Sequence, residues 1–319
     1  MNLGDTMSEN GNVEAFYDYL DSVATLLYDK HDKPYLKGVH QALDFLLDET
    51  LKEDFPSATM QQLKDAKETV VSLRFPKEEV RKAVQLALLK GFKHERITNS
   101  MITPDSIGMF LAYLVKKLYG TENVSTILDP LAGPGNLLAT LHNHYSEDIM
   151  FYAVDSDALL CKLGRNLLDA LEAQHQYFHQ DTLTYKGPAV DLIVADFPVE
   201  SVNRRHTYFP YQVILHHLRH LKPGGYFIAV IENDFFDQNE GPNFKKQLME
   251  EAHLFGLVKL DEGLFENHPQ SLLIMEKKTE PSEGPRQDFL LVDLPPFRDE
   301  KAFQDALFKI DEWFKNKKG

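Results

Sequence analysis

The chain has 319 residues, enough for one large or two ordinary domains, and 43% of them are hydrophobic, enough to bury a core. Its net charge of −15 excludes a protein that coats nucleic acid through a uniformly cationic surface, though not one with a local basic patch. A single cysteine, Cys161, excludes an internal disulfide and reads as a small apolar helix residue in a reducing, cytoplasmic setting; no apolar run is long enough to span a membrane, and no basic-then-apolar signal opens the chain.

Met1 to Gly11 is polar and reads as a frayed end. From Asn12 to Arg96 the pattern is helical. Phe16, Leu20, Val23 and Leu27 recur at helical spacing, as do Leu43, Phe45, Leu46 and Leu47 after them. Phe55-Pro56-Ser57 interrupts the pattern, Met60 to Val71 resumes it, and Pro76 sits at the start of a further helix over Lys77 to Lys90. The segment from Arg74 to Arg96 carries Arg74, Lys77, Arg81, Lys82, Lys90, Lys93 and Arg96 against only Glu78, Glu79 and Glu95. Such a stretch in an acidic protein is either a substrate-facing basic helix or a solvated helix face. Thr103 then caps a helix beginning at Pro104, with Ile107, Leu111, Leu114, Val115 and Leu118 on its apolar face.

The stretch from Val124 to Leu138 organises the remainder of the chain. A β-rich run, Val124 to Leu128, ends in Asp129-Pro130-Leu131-Ala132, then a Gly133-Pro134-Gly135 turn, then a helical run from Asn136. Strand, glycine turn and helix open an α/β nucleotide-binding-like unit, in which backbone N–H groups of the new helix point at whatever lies over the turn. A dinucleotide fingerprint requires a third glycine where Leu138 stands, and no Gly-Lys-Ser/Thr comes after it for a phosphate loop. Pyrophosphate is therefore disfavoured. A cationic ligand bearing a carboxylate suits the turn better, with Asp129 near its charge; an ordinary glycine turn is the alternative.

Met150 to Val154 is a second buried strand ending in Asp155-Ser156-Asp157. Asp155 lies 20 residues after Gly135, the offset of a carboxylate that binds ribose hydroxyls, and Asp157 is placed to cap the next helix, Ala158 to Ala173. Gln176 to His179 reads as a third strand. The pair Asp181-Thr182 after it suits an adenine amino edge, or is simply loop chemistry. Val190 to Ala195 is a fourth strand, and it delivers Asp196-Phe197-Pro198-Val199 to its carboxyl end, where ligand chemistry occurs in such sheets. A helix over Tyr211 to Leu221, a turn at Lys222 to Gly225, strands at Tyr226 to Ile231, Leu257 to Leu260, Ser271 to Glu276 and Phe289 to Val292, and a closing helix over Lys301 to Lys315 complete the reading. His216, His217 and His220 lack the carboxylate of a zinc-protease helix and read as a surface helix, with no metal expected.

In chain order, Asp129-Pro-Leu-Ala-Gly-Pro-Gly, Asp155, Asp181 and Asp196-Phe-Pro-Val resemble the amino-group, adenine N6-type branch of class I S-adenosylmethionine (SAM) methyltransferases, whose catalytic motif is Asp/Asn-Pro-Pro-Tyr/Phe. Thr103-Pro104 resembles the Thr-Pro of methylase subunits in type I restriction systems. The whole chain resembles the YtxK-like methyltransferases through Glu79 to Gly91 and Met101 to Gly108. The resemblance implies a Rossmann-like class I methyltransferase α/β sheet behind a helical N-terminal domain, divided at 1–98 and 99–319. It implies SAM bound by Thr103, Asp129, Pro130, Ala132, Gly133, Gly135, Asn136, Leu137, Asp155, Ser156, Asp181, Thr182 and Asp196. It also implies catalysis by Asp196, Phe197, Pro198 and Val199, on adenine in DNA. Phe197 and Val199 depart from the motif. RNA, a protein amide, or a catalytically weak SAM- and nucleic-acid-binding module are the alternatives.

Overall fold

The computed structural model describes residues 6–48, 54–98, 101–120, 124–198, 208–265, 268–284 and 286–317. Val199, the last residue of the fourth-strand motif, lies outside them. In chain order the elements are α1 (Thr6–His31), α2 (Tyr35–Asp48), α3 (Ser57–Val71), α4 (Lys77–Glu95), α5 (Asp105–Tyr119), β1 (Thr126–Asp129), α6 (Asn136–His144), β2 (Met150–Asp155), α7 (Ala158–Ala170) and β3 (Gln174–His179). Next come β4 (Val190–Asp196), α8 (Phe209–His217), β5 (Leu221–Glu232), α9 (Gly241–Glu251), β6 (Ala252–Lys259), β7 (Gln270–Lys277), β8 (Leu290–Asp293) and α10 (Glu300–Lys317).

Two compact units result: residues 1–109, 132–148 and 155–179 form the first, and residues 110–131, 149–154 and 180–319 the second. In the first, α1 packs on α2, α3 and α4, while α4 also meets α6 and α7. Leu20, Val23 and Leu27 of α1, Leu36, Val39 and Leu43 of α2, and Val84 and Leu88 of α4 are buried there. This matches the apolar spacing that drives an amphipathic helix against a core. α4 begins after Pro76, places Glu78 and Glu79 at its positive end and Lys93 and His94 at its negative end, and stops where Arg96 turns left-handed at φ 57°. α1 already starts at Thr6, inside the stretch expected to fray, and residues 1–5 lie outside the described residues.

In the second unit the strand order is β2-β1-β4-β5-β7-β6-β8; β3 belongs to the first unit. β1 pairs in parallel with β2 and β4, and β4 with β5. β7 runs antiparallel between β5 and β6, and β8 is parallel to β6. The run Leu192, Ile193, Val194 and Ala195 is wholly buried, as a central parallel strand covered on both faces requires. The turn expected at Lys222 to Gly225 is instead an irregularity inside β5. Val190 pairs with Leu221 and Leu192 with Tyr226, so the Lys-Pro-Gly-Gly residues bulge out between two ladder pairs. Gly224 takes φ +75° there. The helix expected to reach Leu221 ends as α8 at His217 and tightens into a 3-10 turn over Leu218–His220. The sequence pattern gave no sign of α9, the helix after β5.

One buried-edge carboxylate aligns the central strands. At the start of β4, Asp191 Oδ2 accepts from the Ser125 N–H at 3.0 Å and hydroxyl at 2.9 Å, and from the Thr126 N–H at 3.0 Å and hydroxyl at 2.8 Å. Its Oδ1 accepts from Lys222 Nζ at 2.6 Å. Burial works against the ionised form, but these bonds from Lys222, Thr126 and Ser125 outweigh it and hold the carboxyl down at about 2. The folded value lies below the unfolded one. The stabilisation is therefore fully present above the ordinary Asp range, near pH 4, and is lost as pH falls toward 2. Asp191→Asn should lower unfolding free energy by about 1.5–3 kcal/mol at pH 7, with the deficit shrinking between pH 4 and 2. Urea titrations across that range check it; a deficit independent of pH would contradict it.

Candidate cofactor turn and strand-end carboxylates

In the first unit the glycine turn is held by its own neighbours. Gly133 and Gly135 take φ +50° and +80°, the left-handed region that favours glycine. A Cβ on Gly135 would also come within 3.0 Å of the Tyr177 hydroxyl and 3.3 Å of Gly164 Cα. Gly133 is held on both sides of its Cα: its N–H donates to Asp155 Oδ2 at 2.9 Å, and its carbonyl accepts from the Tyr177 hydroxyl at 3.0 Å. Asp155 Oδ1 accepts from the Asp157 N–H at 2.8 Å. Burial raises the Asp155 carboxyl, opposed by the N–H bonds from Asp157 and Gly133. A carboxylate has about four acceptor positions, so these two bonds leave capacity for two hydroxyls. Left-handed glycines, a helix N-terminus after them and an acid with spare acceptors fit the ribose and amino-acid ends of SAM. Asp157 caps α7 through the Leu159 and Leu160 N–H groups, and Ser156 is exposed beside it. Cys161 is buried and its thiol is pushed up to about 11 by that burial, as expected of an inert apolar residue.

Asn136, the first residue of α6, is buried, as are Ala132 and Leu137. Its Nδ2 donates to the Thr103 carbonyl at 3.0 Å, and its Oδ1 accepts from Arg81 Nη1 at 3.1 Å. Arg81 is 0% exposed. It donates to Glu78 Oε2 at 2.8 Å and Oε1 at 2.6 Å, and to Asp105 Oδ1 at 2.9 Å and Oδ2 at 3.0 Å. The expectation of a substrate-facing basic helix therefore fails at its centre. Arg81 points inward because two carboxylates and an amide neutralise and bond it there, whereas a phosphate contact needs a solvent-facing guanidinium. Lys90 pairs with Asp21 at 2.5 Å and Lys77 with Glu147 at 3.2 Å. Arg74, Lys82, Lys93 and Arg96 stay exposed. Tyr177 and Arg81 are the two residues that sequence reasoning missed at this turn. In the sequence Arg81 stands out only as part of a basic segment and Tyr177 only as a strand residue; the fold brings both to the turn.

In the second unit, Asp129 ends β1 and Asp196 ends β4. These strands are parallel neighbours in register, Ile127 opposite Leu192 and Leu128 opposite Ile193. Asp129 is 2% exposed, and its Oδ1 accepts from the Leu131 N–H at 2.9 Å beyond Pro130. Past Asp196 the Phe197 N–H still donates to the Val230 carbonyl at 3.3 Å, so the motif leaves the sheet only at Pro198. Phe197 is 4% exposed, which withdraws its ring as a stacking surface for a base. Asp181 Oδ1 accepts from the Leu183 N–H at 2.9 Å, capping a 3-10 turn over Thr182–Thr184. The Thr182 hydroxyl is hydrogen-bonded to His217 Nε2 at 2.8 Å. The surface-helix expectation for the histidines is overturned: His217 is 0% and His220 7% exposed, because α8 turns that face into the protein.

The fold and the turn define a class I SAM-dependent methyltransferase sheet. A solved structure from Listeria monocytogenes, assigned to that class, matches with a TM-score of 0.85 and 29% identity over 96% of this chain and 99% of its own. A methyltransferase subunit of a type I restriction-modification system from Streptococcus thermophilus shares the fold at TM-score 0.57 and 13% identity, over 90% of this chain and 82% of its own. The Bacillus subtilis (strain 168) protein YtxK, itself uncharacterised, is 31% identical over 330 residues, spanning 97% of this chain and 100% of its own. The YtxK N-terminal helical domain matches residues 14–92, and the N-6 DNA methylase model matches residues 87–318. The chain belongs to the N-6 DNA methylase family, with a YtxK-type helical domain in front, and its cofactor is S-adenosylmethionine. No helix among the described residues is long and apolar enough to cross a membrane.

The buried guanidinium yields a direct test. Arg81→Met leaves Glu78 and Asp105 without their shared cation and should cost about 3 kcal/mol or more of stability. Arg81→Lys should not restore it, since an ammonium cannot serve two carboxylates and an amide in one plane. Denaturant unfolding of both variants measures this; a loss under about 0.5 kcal/mol would show that the network contributes little.

Proposed function

We propose that this methyltransferase acts on the exocyclic amine of adenine in DNA. Residues 1–98 form the helical domain and residues 99–319 the catalytic domain. One observation carries the reading: Asp196 stands at the carboxyl end of the central parallel strand β4, with Phe197 still tied to β5 and Pro198 opening the loop. The order of motifs that resembles the adenine N6-type branch puts an acid and the next carbonyl at this strand end to receive an amine. Bound SAM supplies a methyl group made electrophilic by its sulfonium. An aromatic exocyclic amine is a poor nucleophile because its lone pair is delocalised into the ring. The Asp196 carboxylate and the Phe197 carbonyl accept its two hydrogens, localise that lone pair and stabilise the positive charge that develops on nitrogen. Pro198 stiffens the loop that presents them.

Gly133, Gly135, Asn136 and Leu137 approach the cofactor through backbone, and Asp155 holds the ribose hydroxyls with Ser156 beside it. Motif order along the chain assigns Thr103, Asp129, Pro130, Ala132, Asp181 and Thr182 to the same cofactor, Thr182 through its backbone. With Phe197 buried and valine at the fourth motif position, Tyr208, close by in sequence, is the candidate among the described residues for a ring that stacks on a flipped base. It is half-buried and packs edge-on to Tyr211, with centroids 4.9 Å apart. The cytoplasm, where DNA and a reduced Cys161 coexist, suits this activity.

Calorimetry should show SAM binding weakened by about 1.5–3 kcal/mol in Asp155→Ala, through lost charge-assisted hydrogen bonds. Asp196→Ala should bind SAM almost normally yet transfer no methyl group. Unchanged affinity in the first variant, or retained turnover in the second, removes that residue from its role. Base stacking contributes about 1–3 kcal/mol, so Val199→Tyr should raise activity on an adenine-containing oligonucleotide. If the wild type methylates RNA or a protein amide and no DNA oligonucleotide, the adenine-in-DNA reading fails.

A further inference from the structure

In the second unit, α8 and its 3-10 turn carry His216, His217 and His220. Their ring centroids are separated by 4.8 Å (216 to 217), 5.8 Å (216 to 220) and 5.6 Å (217 to 220). One ring nitrogen from each lies within 4.8 Å of those of the other two. Each ring is oriented by an oxygen. His216 Nε2 donates to the Tyr185 carbonyl at 3.2 Å, and His220 Nδ1 to the Gly187 carbonyl at 3.1 Å. His217 Nε2 meets the Thr182 hydroxyl at 2.8 Å. Carbonyl oxygens only accept, so the protons of His216 and His220 sit on those bonded nitrogens, and the opposite nitrogens are lone-pair donors. His217 Nδ1 and His220 Nε2 are buried and have no hydrogen-bond partner.

We propose that His216, His217 and His220 bind a divalent transition-metal ion of the zinc class. Buried polar atoms without partners are rare, and an ion is one of the few things that satisfies two at once. Histidine ligands hold their second nitrogen on a carbonyl or similar oxygen, which sets tautomer and ring plane, and all three rings here are held that way. Imidazole nitrogens select zinc, copper or nickel over magnesium or calcium. Zn–N bonds of about 2.0–2.1 Å require the rings to draw together, and a fourth position remains for water. Arg219 is the group that opposes the ion, with Nη2 2.9 Å from His216 Nδ1 and Nε donating to the His216 carbonyl at 2.7 Å; its side chain is exposed, so an ion at Nδ1 has to displace only a solvent-facing contact. Through these rings the ion would staple α8 to Thr182, Tyr185 and Gly187, directly after Asp181.

The inference does not depend on the methyl acceptor, and its test reads binding alone. Tag-free, metal-stripped full-length protein titrated with zinc chloride should take up one equivalent and melt at a higher temperature in its presence. Binding should be lost in His216→Ala and in His220→Gln. It should weaken about tenfold in Thr182→Val, which removes the oxygen orienting His217. Arg219→Ala should bind more tightly, since it removes a competing cation. X-ray absorption of the wild-type zinc complex should show a shell of three imidazole nitrogens, a readout that needs no variant to fold. No one-equivalent uptake, uptake undiminished in the folded histidine variants, or a zinc shell without imidazole would each overturn the proposal.

Discussion

The parallel pairing of β1 with β4 is the constraint on which the second unit depends. Two ladder positions, Ile127 with Leu192 and Leu128 with Ile193, set the register. Asp191 pins the far end by collecting the Ser125 and Thr126 donors and the Lys222 ammonium. A slip of one residue would turn every side chain of a strand to the opposite face. With the register held, both strands finish on an aspartate at the same edge of the sheet. The carboxylates are thus products of strand alignment more than of their own loops.

The first unit solves a different problem, how to hold a strained turn without filling it. Positive φ at Gly133 and Gly135 is tolerated because no side chain resists it, yet the same freedom would let the turn wander. Asp155 and the Tyr177 hydroxyl remove that freedom by binding the N–H and the carbonyl of Gly133, one in each of the two peptide groups that flank its Cα. Arg81 does the corresponding task for Asn136. A guanidinium with no solvent exposure needs its donors met, and Glu78, Asp105 and Asn136 meet them with planar geometry that lysine cannot offer. The carboxyls of Glu78 and Asp105 are both held below their usual range although burial opposes this, because the bonds from Arg81 dominate.

Buried polar groups elsewhere show how one hydrogen bond can reassign a residue. Thr182 sits in a segment that the sequence suits to adenine, but its hydroxyl is bonded to His217. Phe197 is part of the acceptor motif in sequence, while its ring belongs to the core. In both cases the side chain's partner lies inside the protein.

Much of this protein was determined locally. Hydrophobic period separated the helical segment before Arg96 from the α/β portion after it. The Asp129 to Gly135 string, the offset to Asp155, and Asp196-Phe-Pro carried the cofactor class and the methyltransferase family, because glycine conformations and strand-end acids are properties of short stretches of chain. The Asp157 cap was legible for the same reason. The tertiary structure decided the partners distant in sequence: Arg81 with Asn136, Tyr177 with Gly133, His217 with Thr182, and the bulge that takes Lys222 to Gly225 out of a turn and into β5. Net charge along a segment cannot say which way a helix faces, and a histidine spacing cannot say whether the helix face is wet. Those outcomes depend on which carboxylate, carbonyl or hydroxyl the fold carries to the far side of the contact, and that is set by packing between segments rather than within one.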